Sequence, residues 1–394
     1  MYHRLRVGLL VVFCLSIGNL FGLFAQHSTD YYSLSMVGNA GNGIFAPYYL
    51  SANKHGLVTH SKSGYLRASV FKGLEMNKRF SYEFGIDLVG LMSSTSPVSY
   101  YSDGNLKTYN PGVSSFLIQQ AYIGMKYRMI FISAGCRELT DEVVNFELSS
   151  GGLVWSGNAR PIPQVRAGFI DFVDIPFTKG WVQIKGELAY GKFMDNDFLR
   201  DHYNYYNQYI TTDALYHHKS ISFRSNPDKP FVVTIGAELA AQFGGTKRYY
   251  KEGVLIDSLT MKSPTRLKDF FKILFPSSGD GQTNEGDQAY YYGNHVGQWN
   301  LSAEYRFKDN SSVRGYFEWY YDDASGMGKF NGWDGLWGLE YKSGKKNWLS
   351  NVVLEYLDMT NQSGPLNWCP SDYNDPKLDI EATGADDYYN NYFY

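Results

Sequence analysis

The residues best equipped for chemistry are few and scattered. His202, His217, His218 and His295 lie in or near polar stretches, where a hydrolase would need a nucleophilic Ser, a His and an orienting carboxylate or amide converging near one rim. No recognisable serine-hydrolase motif accompanies them. His217 and His218 are adjacent, and neighbours on a strand point to opposite faces, so the pair makes a poor chelate. Cys136 and Cys369 are far apart and lack metal-ligand spacing, which supports neither a zinc site nor a disulfide framework and leaves only a single disulfide open. The expectation is a chain without catalytic residues, metal or cofactor.

Aromatic side chains offer a different chemistry. Tyr203, Tyr205, Tyr206, Tyr209, Tyr249, Tyr250, Tyr290, Tyr291, Tyr292, Trp333, Trp368, Tyr388, Tyr389 and Tyr392 are mixed with Asn, Asp and Gly. Aromatic rings stack on the apolar faces of sugars while neighbouring polar groups hold hydroxyls, so these segments suit glycan binding. The competing assignment for any one Tyr is an interfacial girdle. Trp155, Asn158 and Arg160, from a distinctive Gly- and Pro-containing stretch, join Tyr205, Tyr206, Tyr291 and Trp333 as candidates for contacting glycan or ordering an interior. Gly151, Gly152, Pro161 and Pro163 in that stretch equally fit a structural bend.

The elements that must position these residues follow from period-two alternation. In Trp181 to Tyr190, Gln183, Lys185 and Glu187 share one face, while Val182, Ile184, Leu188 and Tyr190 share the other. The same pattern returns in 66–71, 80–89, 118–127, 130–137, 165–169, 220–224, 231–243, 300–307, 313–321, 336–342 and 352–357. Such lengths approach the ~9–11 residues of a tilted strand crossing an outer membrane. Many segments begin or end with an aromatic residue: Phe71, Phe80, Tyr82, Tyr127, Trp181, Tyr190, Phe231, Phe243, Trp299, Phe307, Tyr321 and Tyr341. Aromatic belts at two water interfaces account for this placement. The fold class predicted is an all-β, transmembrane antiparallel β-barrel of the outer-membrane type, with one closed sheet and roughly 12 to 14 strands legible by alternation.

Tight turns at 78–79, 128–129, 228–230, 308–311 and 343–346 read as the periplasmic side. Long polar loops at 93–115, 196–217, 244–298, 322–335 and 358–394 read as the extracellular side. Within the longest loop, Leu267, Phe270, Phe271 and Leu274 fall on one helical face after Pro264. The functional expectation is a helix folded over the barrel mouth; the alternative is a short helix that merely packs its loop.

The N-terminus sets the compartment. His3, Arg4 and Arg6 precede an uncharged apolar run from Val7 to Leu23, with Ala25 at a plausible cleavage site, so residues 1–25 read as a secretory signal peptide and 26–394 as the mature chain. An uncleaved anchor is the alternative. Cys14 lacks the preceding small residues of a lipidation site. Cleavage removes two of the 36 Lys and Arg and leaves 34 bases against 39 acids, or −5, which argues against nucleic acid as a partner. A mean hydropathy of −0.34 would suit a soluble protein, yet a barrel averages an apolar outside against a polar inside. No later segment holds about 18 uncharged apolar residues, which excludes helical spans.

Alternation also assigns charges to the interior. Arg67, Lys126, Arg137, Arg166, Lys185, Arg224, Arg306, Arg314 and Lys342 are so placed, against Glu83, Asp87, Glu187, Glu238, Glu304, Glu318, Glu340 and Glu355. Interleaved charges of near-equal number favour a filled barrel over a pore lined by one sign, although a general porin can also carry both signs.

The stretch from Glu147 to Gln164, with Ser149-Ser150-Gly151-Gly152, Trp155, Asn158, Arg160 and Pro161-Ile162-Pro163, resembles the capsule-assembly Wzi family of outer-membrane proteins. Further similarity lies in Pro47 to Gly56, Lys185 to Gly191, Tyr216 to Ser220 and Gly384 to Asn391. The resemblance covers nearly all of the mature chain. It implies an 18-stranded outer-membrane barrel closed inside by helical or loop elements, acting without catalysis as a lectin that holds capsular polysaccharide at the cell surface. The partners it implies are capsular polysaccharide, outer-membrane lipid and, during insertion, the barrel-assembly machinery. Two departures are expected: residues 26–65 read as strand and loop where some members carry a helical bundle, and the end at 386–394 lacks alternation, as if closing strands were missing. A substrate-specific oligosaccharide porin is the alternative function.

Overall fold

The computed structural model describes residues 30–360, apart from 103, 111–114, 150, 195–198, 200–207, 284–286, 289–290, 322–326, 328–331 and 346–347. Each alternating segment named above lies on a strand, because a side-chain period of two lets one face bury while the other stays apolar and exposed. In the first half these are β1 (Asp30–Asn39), β2 (Ser63–Lys72), β3 (Phe80–Ser93), β4 (Val98–Ser102), β5 (Asn105–Tyr109), β6 (Phe116–Tyr127), β7 (Ile130–Cys136), β8 (Gln164–Phe169) and β9 (Val173–Asp174). In the second half they are β10 (Val182–Lys192), β11 (Gln208–Ser225), β12 (Phe231–Lys251), β13 (Val254–Leu255), β14 (Met261–Lys262), β15 (Asn294–Arg306), β16 (Ser312–Tyr321), β17 (Gly335–Lys342) and β18 (Asn351–Asp358). Two short helices are α1 (Tyr48–Ser51) and α2 (Leu267–Leu274).

One antiparallel meander runs β1-β2-β3-β6-β7-β8-β10-β11-β12-β15-β16-β17-β18, with β9, β13 and β14 paired beside it and β4-β5 forming a separate hairpin. Register makes the two faces continuous. Glu187 pairs with Ser220, Ser220 with Glu238 and Glu238 with Gln298 on the inner face. Ile235 pairs with Leu301, Leu301 with Phe317, Phe317 with Trp337 and Trp337 with Tyr356 on the outer face. Residues as distant along the sheet as Gly73, Glu83, Arg166 and Arg314 line one internal cavity, so the sheet curls with its polar face inward. Exposed rings of Phe80, Tyr127, Trp181, Phe231, Tyr305 and Phe307 gather at the tight-turn end, as an aromatic girdle would.

Three features depart from the sequence reading. The described sheet is open: β1 and β18 are each paired on one side only, so the expected closed sheet is not formed among the described residues. Segments read as loops are partly strand: β11 and β12 continue the ladder from Gln208–Tyr250 to Thr212–Thr246, where polar residues alternate too weakly to signal it, and β4-β5 occupies part of 93–115. The third concerns α2, which does not cover the mouth. Its Phe270 and Ile273 pack with Tyr190, Leu215, Ala241, Phe243 and Tyr292, and Tyr190, Leu215, Ala241 and Phe243 belong to the outward face of β10, β11 and β12. An amphipathic helix settles where its apolar face meets apolar side chains, and that wall supplies them. No helix among the described residues is long and apolar enough to cross a membrane.

Candidate functional site: the occluded interior and its outer cleft

The 27-residue connection between β7 and β8 carries the distinctive Gly- and Pro-containing stretch, and it folds inward. Its first residues are fixed to the near wall. The Glu138 carboxylate accepts from Arg67 Nη2 at 2.7 Å and Gln119 Nε2 at 3.0 Å, while its backbone N–H donates to Gln120 Oε1 at 2.9 Å. Further along, the loop reaches the far wall. Leu153 N–H donates to Glu318 Oε2 at 2.8 Å, Val154 N–H to Gln298 Oε1 at 3.0 Å, and Asn145 Nδ2 to Glu340 Oε1 at 2.6 Å. These acceptors lie on β15, β16 and β17, five to seven strands from β7 along the meander, so the loop crosses the interior. Val143, Val144 and Leu153 add an apolar contact with Tyr316 and Leu336.

Polar side chains of the inner wall are matched in pairs. Arg67 bonds Asp87, which also accepts from Ser69 Oγ at 2.9 Å and Gln120 Nε2 at 3.1 Å. Arg137 lies 2.9 Å from Glu83, Arg166 grips Glu187 through two nitrogens, and Arg314 Nε lies 3.0 Å from Glu340. Lys185 reaches Glu142 of the crossing loop, and Lys126 donates to the Met76 and Lys78 carbonyls of the β2-β3 turn. Arg224 donates to Gln183 Oε1 at 2.8 Å and lies 4.1 Å from the Phe172 ring centre. Glu304 pairs with Arg306 at 3.0 Å, and Glu355 accepts the Tyr316 hydroxyl at 2.5 Å. Lys342 stands exposed at the tight-turn rim. Burying charge costs several kcal/mol per ion unless it is paired and hydrogen-bonded, and this pairing makes the polar interior tolerable.

One group of acids stands out. Asp141 Oδ1 accepts the N–H groups of Val143 (2.6 Å) and Val144 (3.0 Å), while its other oxygen faces Gly152. A Cβ at Gly152 would lie 2.6 Å from Asp141 Oδ2 and 3.0 Å from Glu318 Oε1, so the two carboxylates approach each other across a glycine. Glu318 is fully buried, and its Oε1 has no hydrogen-bond partner. Burial, with Glu238 next, pushes the Asp141 carboxyl up to about 7. His218 Nε2 lies 2.7 Å from Glu238 Oε1, and the Trp155 ring sits 5.5 Å from its imidazole.

Below the crossing loop a cavity of about 620 Å³ extends to the tight-turn end, with Leu139 to Val143 and Trp155 as its roof. Above it, the connection from β1 to β2 rests on the loop. Asn53 N–H donates to Asn158 Oδ1 at 2.9 Å, Asn53 Nδ2 to the Ser149 carbonyl at 2.6 Å, and His55 N–H to the Gly157 carbonyl at 2.9 Å. The two stretches Pro47–Gly56 and Glu147–Gln164 are thus one contact surface. Between them lies a cleft of about 410 Å³, lined by Tyr48, Tyr49, Ala52, Asn53, Lys54 and Phe146 to Ser149. Tyr48 and Tyr49 are 62% and 66% exposed at the rim of this cleft.

The site candidates separate accordingly. Trp155 is tied inward by Nε1–H to the Leu139 carbonyl at 3.1 Å, Asn158 is held by Asn53, and Arg160 donates to the Ile118 carbonyl at 3.1 Å beside Gly56. These three order the interior loop. Tyr291 and Trp333 are exposed on other loops, with Trp333 5.9 Å from Trp337. Tyr205 and Tyr206 lie outside the described residues. Tyr48 and Tyr49 were not among the candidates, although a Tyr pair between Pro47 and Asn53-Lys54 was the available signal. His217 and His218 part as expected, His217 beneath α2 on the outward face and His218 inside, but both sit in mid-strand and not in an outer loop. Among the described residues no group of three or more His, Cys, Asp or Glu is arranged to hold a metal.

No protein-family model matches the chain, and no curated protein matches it. Among solved structures it is similar to mutant forms of the Rhodopseudomonas blastica porin. One is 10% identical with a TM-score of 0.27, a second 12% with 0.27 and a third 11% with 0.28; each comparison covers 82% of this chain and 98% of the porin. The fold described above stands on the chain's own ladders: an antiparallel, barrel-type all-β protein with its polar face turned inward.

Proposed function

We propose that this chain is an outer-membrane β-barrel protein that binds surface polysaccharide, of the capsular kind, and does not serve as a diffusion pore. The observation that carries the reading is the loop from Glu138 to Val154, bonded to opposite walls of the interior. A water path would have to break those contacts, several of which involve charged groups worth ~1.5–3 kcal/mol each. The outward apolar face and aromatic rim support membrane insertion. The resemblance to the capsule-assembly family supports the ligand class, and the Tyr48-Tyr49 cleft supplies stacking rings beside Asn53 and Lys54.

Two measurements test it. In planar bilayers the intact chain gives no large steady conductance steps, and replacing residues 139–155 by a short Gly-Ser linker introduces them; large steps from the intact chain would instead favour the oligosaccharide porin. Purified protein binds the host cell's own capsule in preference to an unrelated glycan. The double change Tyr48→Ala and Tyr49→Ala weakens that binding about tenfold, from ~0.5–1.5 kcal/mol per ring. Unchanged binding removes the cleft from the proposal.

A further inference from the structure

The placement of α2 on the outward wall has a geometric consequence. Lys219 faces outward on β11, six residues before the strand ends at Ser225 beside a tight turn. At ~3.4 Å per residue and a strand tilt of roughly 40°, that is about 15 Å above the tight-turn rim, inside an apolar band ~25 Å tall. A bare ammonium at that level is costly. Here Nζ donates to the Ile273 carbonyl at 3.3 Å and to the Leu274 carbonyl, the free acceptors at the C-terminus of α2. At the other end of the helix, Lys262 pairs with Thr246, five residues above Ala241 on β12. The eight-residue helix therefore descends along the wall with its C-terminus lowest.

Its side chains sort in the same direction. Phe270 and Ile273 face the wall. Leu267, Phe271 and Phe275, spaced by four, form an opposite stripe that is 76%, 56% and 70% exposed. The charged residues converge on Asp280, which lies 2.7 Å from Arg266 and 2.8 Å from Lys268 at the upper end and is reached at 3.9 Å by Lys272 from the last turn. Below the helix the wall continues with exposed Ile221, Phe223, Ile235 and Leu301, so the stripe extends an apolar belt already present.

We propose that α2 is a peg dipped into the outer leaflet, its Leu267-Phe271-Phe275 stripe covered by lipid acyl chains and its Arg266-Lys268-Asp280 cluster held at the headgroup level. This rests on the membrane reading above. Lipid is the occupant that fits, because the stripe is continuous with the belt and lies at its depth. The helix also shields Lys219 from that lipid.

The test uses the full chain in lipid vesicles, with Cys136 and Cys369 replaced by Ser and one spin label at Phe271→Cys, Ile221→Cys or Leu106→Cys. Ile221 reports the belt and Leu106 the exposed outer hairpin. The expected result is that the label at Phe271 collides with oxygen and avoids a water-soluble nickel complex, matching Ile221 and differing from Leu106. If the label at Phe271 behaves like Leu106 while Ile221 remains lipid-like, α2 lies in water and the proposal is overturned with the membrane reading intact. If the label at Ile221 is also open to nickel, the membrane reading itself fails. Exclusion of both reagents at Phe271, with spin-spin broadening, means that a second copy covers the stripe and also overturns the proposal.

Discussion

Replacing Asp141 by Asn should reduce the pH dependence of the interior loop. The Asp141 carboxyl, raised to about 7 by burial and by Glu238, binds its proton more tightly in the folded chain than at its ordinary value of 3.8. A folded state that holds the extra proton loses stability as pH climbs from about 4 to about 7, and the full cost is present above that range. A difference of about three pH units at 1.36 kcal/mol each gives a cost on the order of 4 kcal/mol at pH 8, with less than half of it present at pH 5. Asn keeps the Oδ1 acceptor for Val143 and Val144 and presents an amide N–H₂ toward the unpartnered Glu318 Oε1. Unfolding by denaturant in lipid vesicles at pH 5 and pH 8, together with protease cleavage between residues 137 and 163, reads the effect. The wild-type chain weakens and its loop becomes more readily cut at pH 8, whereas D141N shows both changes to a clearly smaller extent. An unaltered pH slope in D141N refutes the assignment of the strain to this carboxyl.

Other outcomes follow from close approaches in the wall. Gly338→Ala places a methyl 2.0 Å from the Tyr316 ring, which must swing off its bond to Glu355; a loss of roughly 1–3 kcal/mol is expected in the same unfolding assay. Gly152→Ala crowds Asp141 and Glu318 and should raise protease cleavage of the interior loop without altering the strand content seen by circular dichroism. Lys219→Met keeps the wall apolar but removes the cap from α2, so cleavage near residue 275 rises while the conductance stays unchanged.

Much of the architecture was legible in the residues because a two-residue period has one structural meaning in a half-buried strand. Gln183, Lys185 and Glu187 named the inner face of β10, and their outward neighbours named the other. The alternation also counted 12 to 14 strands where the described meander has 13. It faltered where polarity was the same on both faces, as in Gln208 to Thr212 and Thr246 to Lys251, since ladder hydrogen bonds there are formed by the backbone and leave no trace in side-chain type. The helix of residues 267–274 was found by its spacing, but its location was not, because spacing describes a face and says nothing about which surface receives it. The inner loop was recognised as distinctive through Trp155, Asn158 and Arg160. What it touches, Glu318, Gln298 and Glu340, comes from strands more than 140 residues later, a pairing no local pattern encodes.

That long reach has a bearing on biogenesis. Asn145, Leu153 and Val154 find their acceptors 195, 165 and 144 residues downstream, so the crossing loop is without its far anchors until the last third of the polypeptide has arrived. The later strands then add their acceptors to a segment already held at Glu138. The full set of wall contacts of this loop therefore exists only once strands from both halves of the chain are in place.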